Sequence, residues 1–466
     1  MPRSRRTTIA ALLALAAFGT LVDQTGVASQ AATTGLGDWP SYERGELHSS
    51  AAYGTAVITA ANAGSLHAAW HWTPPAGDLE ASATVAGGRV YIGTGAGTFY
   101  ALDAATGAVA WSRALDVGVT AACKGKGIEA TATVANDPVT GTPTVYAEGA
   151  RYLYALNAGT GAVIWKHIVG PTTTSSFSDY YNWSSPTVVA GHVYVGLSSR
   201  CDKPLIRGGE VQFDQHTGAV QHTYYTMPSG HTGGSIWSSA AYRKGYVWLS
   251  TGNPDSGGTF DSYSIVRLDG TTMAKLDKWT VPNLTVASDY DFGSSPTLFP
   301  NSSGTRLLAA CNKDGILYAL KANALSGGPV WSRRLANPGQ CLTNPAWDYV
   351  TARLYAAADT TTINGATVPG AARALDPTTG AVLWQRALPC AVFGSPTLDQ
   401  PGHLLAVPMY NCATGVTPTI QLLDATNGAV VGSLPAPGGA FSQPVFAGDD
   451  LYVASFTGGL TAYTVP

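Results

Sequence analysis

The sequence predicts an all-β fold: a single eight-bladed β-propeller whose ring is closed by an N-terminal strand. Three observations point there. Eight segments open with a Ser/Ala/Pro-Thr-Val-like signature, most are followed by an Asp-x-x-Thr-Gly-Ala-Val-x-Trp pattern, and the pattern recurs at a nearly fixed period. Trp111 to Trp165 spans 54 residues, Trp279 to Trp331 spans 52 and Trp331 to Trp384 spans 53. One such unit cannot bury its own apolar faces and must stack on neighbours. Its four short alternating runs, split by Gly, Asn, Asp and Thr-Gly turns, are the strands of one blade. WD40 blades are shorter, roughly 40–45 residues, and carry Gly-His and Trp-Asp signatures that these units lack. The period-3.6 stripes of a helical solenoid are also missing.

In chain order, residues 1–31 read as a secretory signal peptide. Arg3, Arg5 and Arg6 precede an apolar run from Ile9 to Val22, and Ser29-Gln30-Ala31 offers small residues for cleavage. That run is 14 residues long, short of the roughly 20 that cross a bilayer, so no membrane span is expected and the destination is extracellular. Residues 32–58 are expected to form an ordered tail along the ring, anchored by Trp39-Pro40. Residues 59–466 are the propeller. Its last unit, Leu451 to Pro466, stops before any Thr-Gly-x-x-x-Trp strand, whereas Leu66 to Trp72 (LHAAWHW) is an orphan strand of that kind. Pairing the two leaves no sheet edge exposed.

The inner strands start at Ala83-Thr84-Val85, Ala132-Thr133-Val134, Pro186-Thr187-Val188, Ser239-Ala240-Ala241, Pro296-Thr297-Leu298, Pro345-Ala346-Trp347, Pro396-Thr397-Leu398 and Pro444-Val445-Phe446. In each outer hairpin, Asp starts the turn, Gly takes φ > 0 and Trp anchors the strand between blades.

Six cysteines in an exported chain permit three disulfides. Adjacency of units suggests Cys390 with Cys412 and Cys123 with Cys201. No Cys-x-x-Cys-His segment occurs, so electrons released in any redox reaction need an external acceptor. A net charge of −3 and 12% charged residues give no basic face for nucleic acid. A monomer is expected.

The residue three before the Pro or Ala of each signature marks one position per blade: Glu80, Glu129, Trp183, Trp237, Gly293, Leu342, Phe393 and Phe441. Strand starts converge on a channel mouth, so two carboxylates and four aromatics there suit a flat, polar-edged ligand. The alternative is that the aromatics only plug the axis.

The units resemble the tryptophan-docking repeat of the pyrroloquinoline quinone (PQQ) enzymes, the quinoprotein alcohol dehydrogenases, which are eight-bladed propellers; the same repeat occurs in noncatalytic assembly scaffolds. In unit four, His231 to Tyr242 (HTGGSIWSSAAY) is followed by Thr251-Gly252-Asn253-Pro254 and then by Asp289-Tyr290-Asp291-Phe292-Gly293. The resemblance implies that Trp237 lies under the cofactor, that Asn253 is a calcium ligand and that Asp289 is the catalytic base and a further ligand. Asp-x-Asp-Phe-Gly is similar to the polyvinyl-alcohol dehydrogenase branch. Lys313, in Asn312-Lys313-Asp314-Gly315, matches the cation that contacts the quinone. Glu80 matches a carboxylate at the cofactor's edge, with Glu129 as its partner on the rim, and Arg207-Gly208 resembles the family's Arg-Gly. The chain departs from the family in having no adjacent Cys-Cys pair, and Cys201-Asp202 stands where a calcium glutamate is expected, leaving Asp202 as the substitute. Each motif alone also reads as an ordinary turn or core anchor.

The chemistry is coherent. Oxidising an unactivated alcohol takes an electrophilic quinone, a hard cation with oxygen ligands and a base for the hydroxyl proton. The expectation is therefore a secreted PQQ- and calcium-dependent dehydrogenase acting on an alcohol or polymer hydroxyl. The alternative is a noncatalytic scaffold that binds a protein, glycan or cell-wall component.

Overall fold

The computed structural model describes residues 37–54, 56–118, 127–171, 179–200, 202–285 and 289–466. The signal-peptide reading (residues 1–31) and the pairing of Cys123 with Cys201 lie outside the described residues. No helix among the described residues is long and apolar enough to cross a membrane.

Eight antiparallel sheets form the ring. Their inner strands are Thr84–Ala86, Thr133–Asn136, Thr187–Val189, Ala241–Arg243, Thr297–Pro300, Ala346–Asp348, Thr397–Asp399 and Val445–Ala447, and we number the blades 1 to 8 in that order. The eighth blade joins the two ends of the propeller: His67–Trp72 pairs antiparallel with Gly459–Thr464. The core is not central but lies in the seams. Between blades 2 and 3, for example, Tyr146 packs with Val193, Val195 and Phe213, all fully buried, each contributing roughly 1.5–3 kcal/mol.

The repeat signatures acquire physical reasons. In blades 1, 2, 3 and 7 the signature threonine donates to a carbonyl of the next blade: Thr84 to Ala132 (2.7 Å), Thr133 to Pro186 (2.6 Å), Thr187 to Ala240 (2.7 Å) and Thr397 to Pro444 (2.6 Å). Every outer strand skips one residue in its register, Ala110 in blade 1 and Ile164 in blade 2 among them, and the bulge aims the following side chain at the next blade. Five of these are tryptophans. The indoles of Trp70, Trp111, Trp331 and Trp384 donate to Ala104, Ala158, Pro377 and Ala425 carbonyls at 2.8–3.0 Å. The Thr-Gly glycine must be small as well as left-handed: a Cβ on Gly161 would stand 2.5 Å from the Trp111 ring. Trp279 is not one of these anchors. Asp277 holds the docking position of blade 4 and accepts from the Leu325 amide at 2.6 Å.

Residues 37–52 form a strap beneath the ring. Trp39 pairs with Val85, and the carbonyls of Pro40, Glu46, Leu47, Ser49 and Ser50 accept from Val134, Tyr242, Leu298, Trp347 and Leu398 at 2.8–3.0 Å. Ala51–Ala52 adds a parallel fifth strand to blade 7. Two disulfides join described residues. Cys390–Cys412 is the pairing expected from the sequence, and Cys311–Cys341 joins two of the cysteines for which no pairing was named.

Candidate functional site

A cavity of about 710 Å³, counting its open mouth, lies on the ring axis. All eight rim positions named above line it: Glu80, Glu129, Trp183, Trp237, Gly293, Leu342, Phe393 and Phe441. Chain order around the ring puts the Trp183 and Trp237 wall across from Phe393 and Phe441, and the two glutamates across from Gly293 and Leu342. Two residues deeper, a second tier ties the blades together. Backbone amides of Ser82, Thr131, Ser185, Ser239, Ser295, Asn344 and Gln443 each donate to the side chain of the corresponding residue in the next blade, at 2.8–3.0 Å. Tyr42 of the strap reaches the axis and lines the same cavity, giving it a floor.

Glu129 faces the cavity but does not present a bare charge. Arg200 Nη2 stands 2.9 Å from its Oε1, and the guanidinium lies 5.2 Å from the Tyr181 ring and 5.5 Å from Trp183. Arg207 is placed elsewhere. Its Nε donates to the Met227 carbonyl at 2.7 Å and its guanidinium stacks 3.8 Å from the Tyr225 ring, on the outer side of blade 3 and away from the cavity lining. Expected at the cofactor, Arg207 holds a loop instead.

The loop it holds explains the motif cluster. Gly208 N–H donates to the Gly233 carbonyl (2.9 Å) and Gly234 N–H to the Asn253 carbonyl (2.6 Å). A Cβ on Gly208 would stand 2.1 Å from Gly234 O, and one on Gly233 2.5 Å from Asn253 O. Arg207-Gly208, Gly233-Gly234 and Asn253-Pro254 are thus three backbones in contact, and glycine permits the approach. This contact fixes Asn253.

Asn253 Nδ2 donates to Asp202 Oδ2 at 3.0 Å and to Asp289 Oδ1 at 2.9 Å. Its Oδ1 is buried without a hydrogen-bond partner. An amide whose nitrogen sits between two carboxylates while its oxygen is orphaned fits a cation site: reversing the amide turns a third oxygen toward the same point, an all-oxygen set suited to a hard cation. Among the described residues no three His, Cys, Asp or Glu side chains cluster as metal ligands, and this set depends on an amide.

Lys313 links this group to the aromatic wall. Its Nζ lies 3.1 Å from Asp289 Oδ1, 2.7 Å from Asp291 Oδ1 and 5.4 Å from the Trp237 ring centroid. Trp237 Nε1 donates to Asp291 Oδ2 at 2.8 Å. Burial pushes the Asp291 carboxyl up to about 6 against the pull of Lys313. Burial alone would lower the Lys313 ammonium, but Asp291 and Asp289 hold it above the ordinary lysine value. Asp289 has a 74% exposed side chain. Against partial desolvation, the Asn253 amide and Lys313 hold its carboxyl below the ordinary range, so it is ionised at neutral pH.

Sequence reasoning missed Tyr42, Arg200 and the role of Asp291. Asp291 lies inside Asp289-Tyr290-Asp291-Phe292-Gly293, Arg200 directly precedes Cys201-Asp202, and Tyr42 carries no repeat signal at all.

Residues 39–334 match the family model described as glucose/ethanol/alcohol dehydrogenase, beta-propeller domain, and residues 369–465 match that of the outer membrane protein assembly factor BamB. A polyvinylalcohol dehydrogenase of a Pseudomonas species is 27% identical over 338 residues, covering 60% of this chain and 48% of that protein. The polyvinylalcohol dehydrogenase of Sphingopyxis sp. (strain 113P3) is 25% identical over 321 residues, covering 57% and 46%. The match thus spans about half the length of these relatives. Among solved structures, a europium-containing methanol dehydrogenase superposes with a TM-score of 0.75 at 16% identity, covering 92% of this chain and 98% of that one. The quinohemoprotein alcohol dehydrogenase of Comamonas testosteroni gives 0.72 at 17%, covering 92% and 80%. At these identities the two structures speak for the fold.

Proposed function

The chain belongs to the glucose/ethanol/alcohol dehydrogenase β-propeller family, and on that premise we propose that it is a PQQ- and calcium-dependent dehydrogenase oxidising an alcohol or polymer hydroxyl. The observation that carries this reading is the meeting of Asn253, Asp202, Asp289, Lys313 and Trp237 at the edge of the axial cavity. Asn253, Asp202 and Asp289 supply oxygens for the cation. Trp237 supplies a flat aromatic face, and Glu80 and Glu129 lie on the rim toward the ligand's edge. When bound, the quinone supplies the acceptor for the carbinol hydride, with the cation polarising its carbonyl.

The chain's own residues do the rest. Asp289, ionised and exposed at the mouth, takes the hydroxyl proton. Lys313 places a positive charge where negative charge develops. Arg200 neutralises Glu129, so that face of the cavity does not repel an acidic ligand. The two electrons leave to an external acceptor. A polymer substrate is suggested by the polyvinylalcohol dehydrogenase relatives, and export by the basic and apolar start of the chain together with its disulfides.

A second reading, a noncatalytic propeller binding a protein, glycan or cell-wall component, draws on the BamB match of residues 369–465. Calorimetric titration of PQQ with and without calcium separates the two. Saturable, calcium-dependent binding that is lost in Asn253→Ala is expected. Absence of binding under either condition refutes the dehydrogenase reading and leaves the scaffold.

A further inference from the structure

We propose that Asp291 is the positioning residue of this site, a buried carboxylate that clamps the Trp237 indole and the Lys313 ammonium into one rigid pair. The ligand this pair would meet rests on the function proposed above; the clamp itself rests on geometry.

Asp291 is 3% exposed, and its two oxygens are divided between two blades. Oδ2 accepts the Trp237 indole N–H from the start of blade 4, at 2.8 Å. Oδ1 lies 2.7 Å from Lys313 Nζ, in the turn after the second strand of blade 5. The backbone repeats the connection, since the Lys313 amide donates to the Asp291 carbonyl at 2.9 Å and Phe292 bridges to Asn312. Asp291 therefore cannot shift without moving the lysine turn with it. An indole with its N–H held in the ring plane by a carboxylate loses its freedom to rotate about χ2, so its face keeps one orientation.

The charge arithmetic gives Asp291 a second task. Lys313 has two carboxylate partners, and the other, Asp289, is exposed and carries the proton-accepting role. Lys313 held by Asp291 is shared; released from Asp291, it would pair with Asp289 alone and compete with the cation and the substrate for that carboxylate. Asp291 thereby keeps Asp289 available. The other rim indole, Trp183, is packed by Tyr181 at 5.6 Å and by Arg200, so the two indoles are fixed by different means.

Two variants of the whole chain test this. Asp291→Asn keeps an acceptor for the indole but removes the charge, and Asp291→Ala removes both. The first readout needs no ligand: the Trp237 indole N–H resonance, identified among 12 tryptophans by its loss in Trp237→Phe. It should stay protected from exchange in Asp291→Asn and become exchange-labile and shift upfield in Asp291→Ala. The second is calorimetric titration of PQQ with calcium, where Asp291→Asn should weaken binding about 10-fold and Asp291→Ala further. A Trp237 resonance unchanged in Asp291→Ala overturns the clamp. So does wild-type PQQ affinity in Asp291→Asn, which preserves shape and stands as the test if the alanine variant unfolds. Failure of the wild-type protein to bind PQQ counts against the proposed function, while the Trp237 resonance still decides the clamp.

Discussion

Replacing Glu43 by Gln tests how the strap under the cavity couples the fold to pH. Glu43 is fully buried, its Oε2 accepts from Gln443 Nε2 at 3.1 Å, and burial pushes its carboxyl from 4.5 up to about 8. An acid whose folded value exceeds its unfolded value binds more protons folded than unfolded. Its contribution is complete below pH 4.5 and is lost as pH rises toward 8. Each unit of that window is worth about 1.4 kcal/mol, so 8 − 4.5 = 3.5 units amounts to at most ~5 kcal/mol by pH 8. That is a large part of the roughly 5–15 kcal/mol that holds a domain folded. Gln has no proton to lose and can place an N–H where the protonated carboxyl has its O–H. Urea unfolding followed by circular dichroism at pH 5 and pH 8 should find the two proteins alike at pH 5 and the Gln variant the more stable by several kcal/mol at pH 8. Parallel pH profiles would refute the reasoning, because every other buried acid is common to both proteins. His48 on the same strap sets the acid side. Burial lowers it from 6.5 to about 4, so its contribution is lost as pH falls through that window.

Other perturbations follow from the seams. Gly161→Ala puts a Cβ against the Trp111 ring at a φ of +68°, and the urea midpoint should fall by the equivalent of about 2–4 kcal/mol. Trp70→Ala removes the indole that docks the N-terminal strand on blade 1; it should cost about 3–5 kcal/mol and make limited proteolysis begin at residues 67–72. Removing the Cys311–Cys341 link, which closes a 30-residue separation, should lower stability by about 3–4 kcal/mol, measured on the Cys311→Ala/Cys341→Ala double variant.

Much of the fold was legible because the same physical problem is solved eight times. Each blade must meet its neighbour, and most spend a threonine on the next carbonyl or a glycine turn on the preceding indole, so repetition makes those choices visible. Where a blade solves the problem differently, reading failed. Asp277 caps the next blade's turn where a tryptophan was expected, and the nearby Trp279 passed for the anchor. The strap was legible only as an ordered tail. It contacts different blades through successive backbone carbonyls, and backbone hydrogen bonds leave no side-chain pattern.

The candidate site divides along the same line. Glu80, Glu129, Trp183 and Trp237 could be placed on one rim because propeller symmetry carries one strand position to the axis in every blade. Arg207 could not, because it lies off that position; its motif marks a close backbone approach, and the glycine beside it is the residue that the geometry demands. Arg200 shows what symmetry cannot carry. A carboxylate on the rim contradicts the acidic ligand proposed above until its partner is known, and Arg200 comes from the next blade, more than seventy positions along the chain from Glu129. Charge compensation is a property of contacts between blades, so the pairing of Glu129 with Arg200 was decided by folding and not by any motif.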